Sequence, residues 1–277
     1  MTVTNVDIEG VVVASVEFTI AGRCIPGKLS RSYESRNQAM RIAVVDDDAE
    51  FASFLNHLLV EAGHTVVNSA NGNLFLRLAK TETFDIILLD WNLPGRDGID
   101  IVRNLRDDVR SDVPIVLLTL RSEANDIVAG LEAGADDYIA KPVDGRILLA
   151  RIDAIMRRRN SGRGGEALQS FGAFTFDSSQ EMVRRGDQAM QLTSKEYQLA
   201  ILLFRNLSRP LSRAYLLETI WNRNPDVQTR TLDSHVARLR SKLDLRPQNG
   251  WRLSPIYSYG YRLEAVEGGA ELTEDVE

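Results

Sequence analysis

Five polar side chains stand where short apolar segments of the chain end. Asp46 and Asp47 follow one such segment, Asp90 follows the next, and Thr119 and Lys141 follow two more. Three carboxylates that share a site repel one another unless a divalent cation offsets their charge, and hard oxygen ligands suit Mg²⁺. A hydroxyl and an amine beside a carboxylate bound to Mg²⁺ can hold the oxygens of a phosphoryl group. These residue types therefore predict an aspartate that accepts phosphate.

This chemistry requires a fold that brings the five residues to one edge. The segments are short and apolar throughout, with helical periodicity between them, which is typical of a parallel sheet covered by helices on both faces. In such sheets the ligand crevice lies beyond the carboxyl ends of the strands. We therefore expect an α/β domain in which the five residues meet at one rim, although they are far apart in sequence.

A simpler role is open to each aspartate taken alone. An aspartate after an apolar strand often only caps a helix or forms a turn, and this applies to Asp46 or Asp90 by itself. Asp48, which leads into Ala49-Glu50-Phe51, is expected to be the N-cap of the first helix. The agreement of five positions on four strand ends is what favours the phosphate site.

The pattern resembles the receiver domain of two-component response regulators over residues 40–158. Besides the five residues above, the resemblance rests on Leu93-Pro94-Gly95, on Asp97-Gly98 and on the run from Gly130 to Tyr138. It implies a doubly wound, five-stranded parallel sheet of the flavodoxin-like type. It also implies that the domain is not an enzyme for other substrates and catalyses only its own phosphorylation and dephosphorylation.

The resemblance assigns roles around the phosphate site. Asp90 would be the phosphoacceptor and a metal ligand, Asp47 would bind Mg²⁺ directly, and Asp46 would bind it through water. The backbone carbonyl of Asn92 would supply another oxygen. An enzyme that uses aspartate as a covalent nucleophile for phosphate hydrolysis is the competing hypothesis, but such enzymes typically have an acid at the position of Asn92.

Two further residues correspond to the conformational switch of receivers. The hydroxyl of Thr119 would move toward the phosphoryl group while the ring of Tyr138 turns inward. Lys141 would pair with a phosphoryl oxygen, and its peptide bond to Pro142 is expected to be cis, a form that proline permits at low cost. Leu120 departs from the family, which usually has a small residue there, and is predicted to narrow access to Asp90 or slow loss of the phosphate.

The family's receivers form dimers on phosphorylation, through the fourth helix, fifth strand and fifth helix. Positions that match this interface are Ile127, Leu131, Asp136, Asp137, Ile147, Arg151 and Arg158. Ile127 and Ile147 replace what is commonly a basic and acidic pair. Because an exposed ion pair contributes only about 0–1 kcal/mol, the predicted dimer is held by apolar contact and is less sensitive to salt than is typical.

Composition and charge separate the chain into two different halves. Its 277 residues, 44% of them hydrophobic and 26% charged, are expected to form two soluble globular domains, without a membrane span. Residues 40–158 hold 13 Lys and Arg against 20 Asp and Glu, whereas residues 159–264 hold 16 against 10. The acidic half fits a metal-dependent phosphate site and the basic half a polyanionic partner. The single cysteine, Cys24, excludes an intramolecular disulfide and fits a cytoplasmic location.

The two domain spans follow from resemblance to known families, and composition adds the linker and the tail. The receiver would span residues 40–158, followed by a flexible linker at 159–169, a second domain at 170–264 and a disordered acidic tail at 265–277. Residues 1–39 have no counterpart in receivers and are expected to be either disordered or not native. In the preferred hypothesis Met40 is the natural initiator; in the alternative the extension is a real, poorly ordered appendage.

The basic half contains three predicted helices. The first begins with the capping-box spacing of Thr193 and Glu196, and Ser212 is expected to cap the second. The third spans about residues 229–243 and has one apolar stripe with a basic and polar opposite face. A solvated helix whose arginines only confer solubility is the simpler reading of that face. DNA binding is favoured over that simpler role because the surrounding sequence resembles the winged-helix domain of OmpR/PhoB-type regulators. The resemblance rests on Leu211-Ser212-Arg213 and on residues 230–243 and 260–263.

This resemblance, over residues 168–264, implies an α+β winged helix-turn-helix domain that binds double-stranded promoter DNA. The predicted contacts are Arg230, Thr231, Ser234, Arg238, Arg240, Lys242 and Arg262, of which Arg238 and Arg240 are expected to lie in the major groove. The wing arginine common in the family is missing. Tyr257, Tyr259 or Arg252 is expected to replace it, and Gly260 is expected to serve a tight turn.

The combined interpretation is a phosphorylation-dependent transcriptional regulator. A cognate sensor histidine kinase would supply the phosphoryl group to Asp90, the phosphorylated protein would form a homodimer, and the dimer would act on RNA polymerase at promoters. The alternative is a regulator that binds DNA constitutively, without dependence on phosphate.

Overall fold

The computed structural model describes residues 2–8, 11–17, 39–120, 124–160, 168–221 and 229–266. They fall into two compact units, and the main boundary lies between Arg159 and Asn160. Each unit has its own hydrophobic core. Across the described residues, no helix has both the length and the apolar character needed to cross a membrane.

The first unit is a mixed sheet with helices on both faces. Its elements are β1 (Thr2–Ile8), β2 (Val11–Glu17), β3 (Arg41–Val45), α1 (Ala49–Glu61), β4 (Thr65–Ser69), α2 (Gly72–Ala79), β5 (Ile86–Asp90), β6 (Asn92–Leu93), β7 (Arg96–Asp97), α3 (Gly98–Asp107), β8 (Ile115–Thr119), α4 (Ala124–Glu132), β9 (Asp137–Ala140) and α5 (Gly145–Asn160). Five strands are parallel neighbours in the order β4-β3-β5-β8-β9. The predicted five-stranded doubly wound sheet is confirmed.

The strands are apolar throughout because both faces of the sheet are covered. In β3, Ile42 and Val44 belong to one core cluster, which includes Leu55 of α1 and Leu148 of α5. Ala43 and Val45 of β3 belong to a second cluster on the other face, with buried side chains from α2 and α3. Helices of this kind leave the carboxyl ends of the strands as the open rim where polar side chains collect.

The N-terminal segment contains regular structure that the sequence analysis did not expect. β1 and β2 pair antiparallel, and β2 pairs antiparallel with β4 through Val12 and Val13. The expectation of disorder is therefore wrong for residues 2–8 and 11–17. Runs of valine favour strands, and the outer edge of β4 offers main-chain partners. Residues 18–38 lie outside the described residues, and the origin of the extension remains a hypothesis.

His64 is a buried titratable residue at the start of β4, where the chain enters the sheet. It is 7% exposed, and its Nδ1 lies 3.4 Å from the backbone N of Met40, which donates to it. This contact needs an unprotonated Nδ1. Burial lowers the pKa of His64 below its ordinary value, although Asp153 and Asp85 oppose that effect.

The first unit is therefore expected to lose stability on mild acidification. A lowered pKa in the folded state means that the unfolded chain binds the proton first, so stability is complete above the ordinary histidine pKa and is lost as the pH falls below it. His64→Gln should flatten the pH dependence of unfolding between neutral and mildly acidic pH. The control His57→Gln, at an exposed position on α1, should leave it unchanged; equal slopes in wild type and His64→Gln would contradict the prediction.

The second unit combines two antiparallel sheets with three helices. Its elements are β10 (Leu168–Phe171), β11 (Phe174–Asp177), β12 (Met182–Arg185), β13 (Gln188–Met190), α6 (Ser194–Arg205), β14 (Leu211–Ser212), α7 (Arg213–Trp221), α8 (Thr229–Lys242), a 3-10 turn (Pro247–Asn249), β15 (Trp251–Ile256) and β16 (Gly260–Ala265). Strands β10 to β13 form one sheet, and β14, β16 and β15 form the other. The predicted α+β winged fold is confirmed.

Local sequence determines where the helices of this unit begin. Thr193 and Glu196 form the predicted capping box at α6. The hydroxyl of Ser212 accepts a hydrogen bond from the backbone N of Tyr215 at 3.2 Å, so Ser212 caps α7 as expected. Aromatic side chains then fill the core, where the ring of Phe204 lies 4.9 Å from that of Trp251.

The predicted boundaries need small corrections. Helix α5 continues to Asn160 and β10 begins at Leu168, so both ends of the expected linker are ordered elements. Three arginines in the last turn of α5 favour its extension, because cations stabilise a helix C-terminus. β16 reaches Ala265, one residue beyond the expected end. Residues 161–167 and the tail from 267 lie outside the described residues.

Candidate phosphate site and nucleic-acid interface

Three carboxylates meet at the carboxyl ends of two adjacent strands. Asp46 and Asp47 directly follow β3, Asp90 ends β5, and ligand oxygens of all three lie within 4.8 Å of one another. Asp46 and Asp90 are buried, whereas Asp47 is exposed. A set made only of carboxylate oxygens suits a hard divalent cation such as Mg²⁺.

The charge of Asp90 is incompletely compensated in this pocket. Burial raises the pKa of Asp90 above its ordinary value; the positive charge of Lys141 lowers it and the negative charge of Asp46 raises it, and the net direction is upward. A carboxylate in this state gains from any added cation. The residues therefore fit a divalent metal held by Asp46, Asp47 and Asp90.

Lys141 places an amine between two of the carboxylates. Its Nζ lies 2.8 Å from Oδ2 of Asp46 and 3.2 Å from Oδ1 of Asp90. Burial opposes the charged amine, but the two carboxylates outweigh it and raise the pKa of Lys141. The Lys141-Pro142 peptide bond is cis, as expected. The amine therefore stays charged at physiological pH, where it can bind a phosphoryl oxygen.

Thr119 and Asn92 complete the rim. Thr119 ends β8 and is fully buried, and its backbone carbonyl accepts a hydrogen bond from the N of Lys141 at 2.7 Å. Asn92, two residues after Asp90, opens β6 and is exposed. Leu120 is 76% exposed, so its side chain lies at the surface beside the site. The structure thus brings together the residues chosen from the sequence as catalytic and metal-binding.

The ring of Tyr138 is already turned inward. It is 9% exposed and meets Trp91 edge-on, with 6.4 Å between the ring centroids. Gly130 makes room for this arrangement, because a Cβ there would lie 2.8 Å from Leu117 and 3.2 Å from Trp91. Trp91 had no predicted role. Its place directly after Asp90 was the available signal.

The predicted dimer surface combines exposed apolar side chains with internally paired charges. Val128, Leu131 and Ile147 are each about half exposed. Asp137 binds Arg151 of the same chain at 2.9 Å. These observations show an apolar surface on α4 and α5, and they show that an ion pair expected between subunits is available within one.

Asp136 is also held within its own chain. Its carboxylate accepts hydrogen bonds from Arg106 at 2.9 Å and from the backbone N of Ile115 at 2.8 Å. Arg106 had no predicted role, because nothing in its local sequence indicates partners that are distant along the chain. Of the remaining predicted interface positions, Ile127 packs partly into the core and Arg158 is exposed.

Helix α8 has the two faces that its sequence predicts. Leu232, Val236 and Leu239 are buried in the core of the second unit. On the other side, Arg230, Ser234 and Arg238 are exposed and Thr231 is half-buried, while the hydroxyl of Ser234 donates to the carbonyl of Arg230. An exposed polar and basic face on the third helix suits a helix that enters the major groove.

Two predicted DNA contacts, Arg240 and Lys242, have partners within the second unit. The guanidinium of Arg240 donates to the carbonyl of Leu253 at 2.8 and 3.2 Å. The amine of Lys242 lies 2.7 Å from the buried carboxylate of Glu196. Burial alone would raise the pKa of Glu196, but Lys242 and the backbone N of Thr193 hold it below its ordinary value. Both side chains connect α8 to the rest of the unit.

The wing differs from its prediction at Gly260. A Cβ there would lie 2.0 Å from the carbonyl of Leu211, so the glycine permits close approach of β14 and does not form the turn. Ser258 adopts the left-handed conformation in the turn, with φ +52°. Tyr257 is 96% exposed at the tip of the hairpin. Arg262 on β16 pairs with Glu264 at 3.1 Å.

Comparison with known families identifies both units. The family described as response regulator receiver domain matches residues 42–153, and the family described as transcriptional regulatory protein, C terminal, matches residues 187–263. One match lies in each unit, and the second begins one residue before β13, so that β10 to β12 lie outside it.

Curated relatives match over nearly their whole length. The transcriptional regulatory protein AfsQ1 of Streptomyces coelicolor is 38% identical over 80% of this chain and 97% of its own. The sensory transduction protein RegX3 of Mycolicibacterium smegmatis is 35% identical over 80% of this chain and 98% of its own. A crystal structure of the response regulator DrrB, described as a Thermotoga maritima OmpR/PhoB homolog, is 30% identical over 82% of this chain and 100% of its own, with a TM-score of 0.40.

Proposed function

Because the chain belongs to the two-component response regulators of the OmpR/PhoB type, with a receiver and a DNA-binding transcriptional regulatory domain, we propose that it is controlled by phosphate on Asp90. A cognate sensor histidine kinase presents phosphohistidine, the P–N bond breaks, and a new P–O bond forms to a carboxylate oxygen of Asp90. Asp47, Asp90 and the carbonyl of Asn92, with Asp46 through water, would hold Mg²⁺, which would offset the charge that gathers on the phosphoryl oxygens.

The observation that supports this proposal most strongly is the placement of the amine of Lys141. It lies within 3.2 Å of both Asp46 and Asp90, in a pocket where burial raises the pKa of Asp90. A fixed positive charge beside a buried acceptor can stabilise the transferred phosphoryl group. Incubation with Mg²⁺ and acetyl phosphate should place an acid-stable, base-labile label on Asp90; a wild-type protein that takes no label would refute the proposal.

We propose that the receiver catalyses only its own phosphorylation and dephosphorylation. Asn92 stands where enzymes that hydrolyse phosphomonoesters through a covalent aspartate typically need a second acid. An amide at that position does not serve as the general acid or base of such a reaction. Hydrolysis of small phosphomonoesters with multiple turnovers would favour the enzyme instead.

One observation favours the alternative of phosphate-independent DNA binding. The ring of Tyr138 is buried against Trp91, which is the inward position that phosphorylation is expected to produce. The two functions are separated by comparing the DNA affinity of wild type and Asp90→Ala, each with and without acetyl phosphate. Phosphate control requires a gain in wild type alone, whereas equal affinities in all four samples support constitutive binding.

The phosphorylated protein is proposed to dimerise through α4, β9 and α5 and to recruit or block RNA polymerase at promoters. Since Leu131 and Ile147 are about half exposed and Asp137 pairs with Arg151 within the chain, apolar contact should dominate the interface. Sedimentation of the full chain with Mg²⁺ and beryllofluoride should therefore show a dimer that persists from low to high salt. Steep dissociation with added salt would contradict this prediction.

Arg238 and Arg240 are expected to act differently in DNA binding. Arg238→Ala should reduce affinity roughly tenfold and leave stability unchanged, because the side chain is exposed on α8. Arg240→Ala should lower the free energy of unfolding by about 1–3 kcal/mol, because the carbonyl of Leu253 loses its partner. Fluorescence anisotropy with duplexes selected by the wild type, paired with chemical denaturation, measures both. Loss of affinity in Arg240→Ala at full stability would show a direct contact instead.

A further inference from the structure

Lys141 has an aromatic partner besides the two carboxylates. Its Nζ lies 4.4 Å from the centroid of the Phe51 ring, well inside the distance at which a ring attracts a cation. We propose that Phe51 is a positioning residue for phosphoryl transfer: its ring holds the amine of Lys141 at the rim while Asp90 is phosphorylated. This inference rests on the proposed function of Asp90.

The local sequence ties the ring to the pocket. Asp48 caps α1 by accepting hydrogen bonds from the backbone N of Glu50 and of Phe51, at 3.0 and 3.1 Å. The backbone N of Asp48 in turn donates to Oδ1 of Asp46 at 2.9 Å. Because these bonds fix the first turn of α1 against a candidate metal ligand, the half-buried ring of Phe51 has a defined place beside the site.

The ring matters because the other partners of Lys141 have a second task. The amine lies 2.8 Å from Asp46 and 3.2 Å from Asp90, and both carboxylates belong to the candidate metal set. A divalent cation draws carboxylate oxygens toward itself, and a hard cation prefers them to an aromatic ring. With a metal bound, the two carboxylates would serve the metal as well, whereas the ring of Phe51 would remain a partner for the amine alone and keep it close to the incoming phosphoryl oxygens.

The proposal requires the electrons of the ring and not its volume. Leucine fills similar space without an aromatic quadrupole, whereas tyrosine retains it. Phe51→Leu should therefore slow phosphorylation by acetyl phosphate roughly three- to tenfold, and Phe51→Tyr should restore the rate to within about twofold of wild type. Isothermal titration should show Mg²⁺ binding unchanged in both variants, since neither removes a candidate ligand.

Phe54 offers a matched control on the same helix. It is 44% exposed and stacks on Phe51 with 6.1 Å between centroids. Phe54→Leu removes a ring of equal size from the same aromatic pair, so its labelling rate should stay at the wild-type value. All four proteins are compared as full chains, with label on Asp90 followed over time by intact mass.

Each result decides between the possibilities. Slow labelling of Phe51→Leu, together with rapid labelling of Phe51→Tyr and of Phe54→Leu, supports the proposal. An unchanged rate in Phe51→Leu overturns it, as does equal slowing in Phe51→Leu and Phe51→Tyr, which would mean that packing alone matters. If the wild type itself takes no label, the proposed function fails and this inference fails with it; label that is indifferent to the ring refutes only the inference.

Discussion

Replacing Asp90 with asparagine is expected to reduce labelling by acetyl phosphate at least about a hundredfold, because the amide lacks the nucleophilic oxygen that forms the acyl phosphate. The same change should raise the free energy of unfolding in the absence of metal. Burial raises the pKa of Asp90, which means that the fold disfavours its charge, and the amide removes that charge. Asp90→Asn should therefore lose phosphate labelling, measured by intact mass, and gain stability, measured by chemical denaturation.

Asp100 provides the control for this pair of effects. It lies on α3, with 60% of its side chain exposed, and is not part of the acidic pocket. Asp100→Asn should change neither labelling nor stability by a measurable amount. Undiminished label in Asp90→Asn would mean that another residue accepts the phosphoryl group, and a fall in its stability would mean that the fold needs the charge of Asp90.

Gly260→Ala is expected to destabilise the second unit by more than about 3 kcal/mol, since backbone cannot move aside as a flexible side chain can. The added Cβ would lie 2.0 Å from the carbonyl of Leu211 and 3.0 Å from the backbone N of Arg213. β14 must then separate from β16. Hydrogen exchange with mass spectrometry on the full chain should show lost protection in β14 and β16, with protection in β5 retained.

Gly186 separates this steric effect from ordinary backbone strain. It has a positive φ of +57°, but a Cβ at this position would meet nothing within 4 Å. Gly186→Ala should therefore cost only about 1 kcal/mol, through the left-handed conformation alone. Equal losses in the two alanine variants would show that contact with β14 is not the reason for glycine at position 260.

The candidate phosphate site could be predicted from the sequence because its geometry follows from the topology of the sheet. Once apolar runs are assigned as parallel strands, their last residues must lie at one edge, and Asp46, Asp90, Thr119 and Lys141 all do. The helical stripe of α8 was accessible for a similar reason. A period of 3.6 residues determines which positions are buried, whatever the partner surface contains.

Hydrogen bonds and ion pairs between residues far apart in sequence could not be predicted in this way. Periodicity places Arg240 on the polar face of α8, but only the folded chain shows that its guanidinium meets the carbonyl of Leu253. The same limit applies to Lys242 and to Asp136, which have partners far away in sequence. For Gly260, the glycine itself indicated an unusual backbone requirement. A tight turn and a close approach of two strands both require glycine, so the sequence could not distinguish between them.

Arg106 connects two loops at one end of α4. Its guanidinium donates to the carbonyl of Gly134, two residues after α4, and to those of Ser111 and Val113, before β8, at 2.6 to 3.0 Å. The segment that follows α4 is therefore anchored to the segment that leads into β8. If α4 moves on phosphorylation, this anchor would hold its C-terminal end and make the movement a pivot about that end. A lysine carries its donors on one nitrogen and cannot span the two loops as the planar guanidinium does, so Arg106→Lys would weaken the anchor at the C-terminal end of α4.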